Sequence, residues 1–96
     1  MVMIMKTNYN LFIEQELNND PELKKMYEEE LELLRIAKQI SDVRKKQKLT
    51  QEQMAQKLGT TQSVVARIEA GKQNVSFNIL FKIAEIFHKK LEINFV

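Results

Sequence analysis

One stretch constrains this chain more than any other: Thr50 to Gly71, TQEQMAQKLGTTQSVVARIEAG. Thr50 with Gln53 three residues on is a capping box, in which the hydroxyl takes an orphan amide of the first turn and the Gln reaches back. Met54, Ala55 and Leu58 then share one face of a helix that should end before Gly59, a residue free to adopt the positive φ that closes a helix. Thr61 is the next N-cap candidate. Val64, Val65 and Ile68 supply the inward stripe of a second helix closed by Gly71. The chain has two glycines, and both bracket that second helix. Helices of about eight residues do not persist alone, so the pair must lean on the rest of the chain.

Packed in this way, the second helix turns Gln62, Ser63, Ala66 and Arg67 outward. These are small or fork-shaped groups without a carboxylate among them, suited to base edges and phosphates. The run LTQEQMAQKLGTTQSVVARIEAGK resembles the helix-turn-helix of the XRE type, found in phage repressor and Cro proteins. Thr50, Gln51, Ala55, Gly59, Gln62, Val65, Ile68, Glu69 and Gly71 stand at that family's spacing, and the resemblance runs from Ile36 to about His88. It implies that the helix from Thr61 to Ala70 enters the major groove, with Gln62, Ser63 and Arg67 at base edges. Gln51 would hold a phosphate, with Thr61 and Lys72 completing the DNA-binding set. It also implies a charge pair between Arg44 and Glu69.

Charge distribution supports two jobs. The net charge is +2, but residues 1–40 carry eight acids and five bases, net −3, while residues 41–96 carry five acids and ten bases, net +5. An acidic half joined to a basic half suits one partner each, with the basic half facing phosphate. Zero cysteines exclude a disulfide framework and thiolate metal sites and fit a reducing cytoplasm. The opening MVMIM is too short for a signal or membrane segment. His88 is the single histidine and stands at a helix end, where a capping role suits it better than a ligand role. No Gly-rich phosphate loop is present. We therefore expect no enzyme, no cofactor and no metal.

In chain order, residues 1–8 have no clear period and should fray or form a short extended terminus. Leu11, Phe12 and Leu17 permit a helix from about Tyr9 to Leu17. Asp20 can cap the next helix, with Pro21 at its first position and Glu22 at the positive end of its dipole. Leu23, Met26, Tyr27, Leu31, Leu34, Ala37, Ile40 and Val43 keep helical spacing to about Lys46, as one long helix or two collinear ones meeting near Glu30. After a polar connection, Ser76 caps a helix burying Phe77, Leu80, Ile83, Ala84 and Phe87. The tail Leu91 to Val96 alternates with period two and reads as a strand. A lone strand needs a partner, and Leu91, Ile93 and Phe95 of two copies pairing across a two-fold axis would supply it; the alternative is a tail lying on its own core.

The expected architecture is all-α: a phage-repressor-like helix-turn-helix bundle of four to six helices, an acidic helical extension over residues 1–30, and a DNA-binding domain over residues 31–96 ending in the dimerisation strand. An acidic arm, this motif and a terminal KLEINFV together look like HigA-type antitoxins of type II toxin–antitoxin modules, whose toxins are RelE-type mRNA interferases. That resemblance implies a small basic toxin as partner, held by Leu11, Phe12, Leu17, Leu23, Met26 and Tyr27 with Glu14, Glu16, Glu22, Glu28 and Glu29 around them. It also implies a homodimer on double-stranded operator DNA. The alternative is a plain repressor without a toxin.

Overall fold

The computed structural model describes residues 8–96, with side chains from Ile13 onward, and contains five helices in that span. The fraying expected of residues 1–8 falls almost wholly outside it, as do the side chains of Leu11 and Phe12. The helices are α1 (Asn8–Asn19), α2 (Pro21–Lys46), α3 (Gln51–Leu58), α4 (Gln62–Glu69) and α5 (Phe77–Ile86). Asp20 alone separates α1 from α2, and its Oδ1 accepts from the amides of Glu22 and Leu23, both at 3.1 Å. The second helix runs unbroken for 26 residues: Pro21 stands at its first position, where no amide is needed, and no glycine or proline follows it.

Each later helix starts on a hydroxyl. Thr50 accepts from Gln53 N at 3.1 Å while Gln53 Oε1 accepts from Thr50 N at 2.8 Å. Thr61 accepts from Val64 N, and Ser76 from Ile79 N. The helix ends share a device too. Leu49, Thr60, Lys72 and Lys89 each donate an amide back to a carbonyl five residues earlier. The residue before each donor is left-handed: Lys48 (φ 58°), Gly59 (φ 71°), Gly71 (φ 70°) and His88 (φ 53°). A Cβ on Gly59 would meet nothing within 4 Å, so that glycine serves conformation alone. At Gly71 a Cβ would lie 2.5 Å from Leu34 Cδ2, so the glycine also makes room.

The chain divides into two compact units, one ending at Leu31 and one from Glu32 to Val96, with the boundary inside α2. The second unit holds the core. Ile40, Met54, Ala55, Leu58, Val65, Ile68, Ile83 and Phe87 pack into one cluster, flanked by half-buried Ile36, Val43, Leu49, Val64 and Val75. Lys82 Nζ donates to Leu58 O at 3.3 Å, placing a cation on the negative end of α3.

Two expectations need correction. The tail from Lys89 to Val96 forms no strand, and among the described residues no other strand exists for it to join. Alternation selects a face, but a strand also requires neighbouring backbone to take its amides and carbonyls, and this single chain offers none. Ile93, Phe95 and Val96 are exposed, and Leu91 is half-buried. Phe77, expected in the core, is 61% exposed and stacks on Phe81 one turn later, with ring centroids 6.1 Å apart.

Candidate nucleic-acid interface

The short polar turn between Leu58 and Gln62 joins α3 to α4, and their inward faces meet through Met54, Ala55, Val65 and Ile68. That packing fixes what α4 shows to solvent: Gln62, Ser63 and Arg67 are exposed, with Thr61 before them and Lys72 just after. The one carboxylate of the helix, Glu69, turns inward instead. Its side chain is 6% exposed and that of Arg44, from the last turn of α2, is 12% exposed. Arg44 Nε donates to Glu69 Oε2 at 2.7 Å and Nη2 to Oε1 at 3.0 Å, while Nη1 donates to Leu49 O at 2.7 Å. A bidentate fork with its remaining arm satisfied is the strong form of such a pair.

Burial alone would push the Glu69 carboxyl up. Hydrogen bonds from Arg44 and Gln51, the charge of Arg44 and the Ser41 hydroxyl outweigh it and hold the group below its ordinary value. The hydrogen bond to Glu69 raises Arg44 in turn, against the effect of its own burial. The pair therefore stays ionised, and α4 presents a face free of negative charge.

Gln51 stands at the start of α3, and its side chain is engaged within the protein. Its Nε2 donates to Glu69 Oε1 at 3.3 Å, and its Oε1 accepts from Gln62 Nε2 at 2.8 Å. The motif thus brings Arg44, Glu69, Gln51 and Gln62 into one connected set. On the other side of the helix, exposed Arg67 donates its Nε to Gln73 Oε1 at 3.2 Å. Neither Gln73 nor Ser41 is singled out by the sequence reading. The polar character of residues 72–75 hinted at the first, and nothing local could have indicated the second. Ser63 has no described partner in the chain, and its short hydroxyl reaches least far.

The first unit offers a different surface. Ile13 and Leu17 of α1 with Leu23, Met26 and Tyr27 of α2 line an open apolar groove of about 470 Å³, edged by Glu16 and Glu30. Met26 is 60% exposed there, and Leu23 and Tyr27 about two-fifths. Leu91, Ile93 and Phe95, at the opposite end of the chain, are separate from both surfaces in sequence. Among the described residues no helix is long and apolar enough to cross a membrane.

Comparison with known proteins places the motif. The profile of the helix-turn-helix family matches residues 40–94. An uncharacterised helix-turn-helix-type transcriptional regulator of Archaeoglobus fulgidus is 35% identical over 57 residues, covering 59% of this chain and 80% of that protein. Another, from Methanocaldococcus jannaschii, is 44% identical over 48 residues, covering 50% of this chain and 73% of its own length.

Proposed function

This chain belongs to the helix-turn-helix family, and from that premise we propose that it is a sequence-specific DNA-binding regulator of transcription that represses from an operator. The observation that carries this is the outward face of α4, where Gln62 and Arg67 are held by Gln51 and Gln73 while the only carboxylate is drawn inward. Fixed amide and guanidinium groups are the groups that read adenine and guanine in the major groove, each good pair supplying roughly 1–3 kcal/mol of discrimination. Thr61 and Lys72, at the two ends of α4, hold phosphates and set register. One such helix makes too few base contacts for tight binding, so two copies act together, joined through Leu91, Ile93 and Phe95, on half-sites about 34 Å apart.

Binding to duplexes selected from a random library tests this. Arg67→Ala should lose its preference at one base pair of each half-site, whereas Lys72→Ala should weaken all sequences alike and lower the salt slope by about one. Equal binding of selected and random DNA by the unmutated protein would end the reading.

A second reading is favoured by the apolar groove of the first unit. Exposed Met and Tyr anchors with carboxylates at the edge suit a basic protein partner. Together with the resemblance in arm, motif and tail, this supports an antitoxin that neutralises an mRNA interferase and represses its own operon. Co-purification of a small basic protein from the native host would support it. A Met26→Glu/Tyr27→Glu variant that still rescued cells from the toxin would remove the groove from that role.

A further inference from the structure

A cleft of about 250 Å³ lies between α2, α5 and the tail. The second helix gives it Ile36, Ile40 and Val43, one stripe at helical spacing, and α5 gives it Leu80, Ile83 and Phe87. Ile40, Ile83 and Phe87 belong to the core and fix the floor, while Ile36, Val43 and Leu80 are half-buried along the sides. The mouth differs. Lys89, Lys90 and Glu92 line it, and two ammonium groups against one carboxylate leave it net positive. Lys89 N closes α5 on Ala84 O at 2.8 Å, and among the described residues no amide after it takes a backbone partner. Leu91 stands in the same wall, half-buried.

We propose that this cleft is a regulatory site for an apolar carboxylate of the medium-chain acyl class. The hydrocarbon lies along the stripe between α2 and α5, where each methylene leaves water for a preformed apolar surface. The carboxylate stays at the mouth, where the lysines and the open amides answer its charge, so no anion is buried unpaired. Such a ligand covers Leu91 from within its own chain and holds the tail there. A tail held in this way is withdrawn from a second copy, and operator affinity falls. That last step rests on the DNA reading above, whereas binding in the cleft does not.

The test is calorimetric titration of the full chain with decanoate, paired with methyl-group nuclear magnetic resonance and with operator binding measured with and without decanoate. One decanoate should bind per chain, with octanoate about tenfold or more weaker, since each methylene carries roughly fourfold in affinity. Methyl shifts should centre on Ile36, Val43, Leu80 and Leu91. Lys89→Gln/Lys90→Gln should lose about tenfold toward decanoate and nothing toward decanol, which has the same chain without the charge. Val43→Trp should fill the cleft and bind neither, and if it fails to fold the shift map decides. Decanoate should lower operator affinity about fivefold or more in wild type and leave the lysine variant unaffected. Shifts centred on Leu17, Leu23 and Met26, equal losses toward decanol and decanoate, or the same shifts produced by raising protein concentration alone would overturn the proposal. Binding that leaves operator affinity unchanged overturns it as well. A chain that binds no operator at all overturns the DNA reading, while calorimetry still decides the cleft.

Discussion

At Arg44 and Glu69 the balance of terms is set by burial. Removing one member of a pair this shielded leaves a desolvated charge, so Arg44→Met should lower stability by about 3–5 kcal/mol in urea titrations, and Arg44→Met/Glu69→Met should recover much of it. The pH response follows from the lowered Glu69 carboxyl. Its folded-state value lies below its unfolded value, so its contribution is complete above the ordinary carboxylate range and is lost as pH falls through the folded value. The unfolding midpoint should drop in acid for wild type and much less so for the double mutant. The glycines separate two causes. Gly59→Ala should cost about 1–2 kcal/mol from backbone strain alone, and Gly71→Ala should cost about 1 kcal/mol more because Leu34 must move. Thr50, Gln53, Thr61 and both glycines were legible in the sequence because a cap is settled within four residues. The links from Gln51 to Glu69 and from Arg67 to Gln73 were not, since they depend on how elements meet.

Helix ends tell the same story one level up. Four of the five helices close on a left-handed residue, but only two of those positions hold glycine. Lys48→Gly and His88→Gly should each raise stability by about 0.5–1 kcal/mol, read from thermal or urea melts, because the steric penalty removed exceeds the added chain entropy. A glycine closing a helix announces itself in sequence, and His88 was legible as a helix end, whereas nothing marked Lys48 for that place. The tail shows the converse error. Leu91, Ile93 and Phe95 alternate as a strand would, yet a period of two describes which side is apolar and says nothing of the backbone's partners. Deleting residues 91–96 should convert a dimer to a monomer in sedimentation velocity and sharply reduce operator affinity. A deletion variant that stays dimeric would move the interface to α5, where Phe77 and Phe81 are exposed.

Across the whole molecule, the apolar stripe of α2 reads in sequence as one continuous face from Leu23 to Val43. The structure treats it as two. Leu23, Met26, Tyr27, Leu31 and Leu34 are exposed, while Ala37 and Ile40 are buried. Periodicity marks a helix face but not what covers it, and the change falls near the boundary between the two units. Every fully buried residue described lies at Ala37 or later. A protein lacking residues 1–27 should therefore keep its cooperative unfolding and its DNA affinity, and lose only what the groove binds. Collapse of the fold on truncation would show that the first unit contributes to the core after all.

That placement of the core also separates the chain in time. Amides of α1 from Ile13 onward and of the N-terminal turns of α2 are closed by helical bonds over half-buried or exposed side chains, so brief local opening should release them to deuterium early. Those of α3 and α4, roofed by Met54, Val65 and Ile68, should wait for events approaching global unfolding. A mass-spectrometric exchange profile would then resolve two clocks within α2, fast before Leu31 and slow after Ala37. A ligand in the groove would slow the first clock and leave the second running as before.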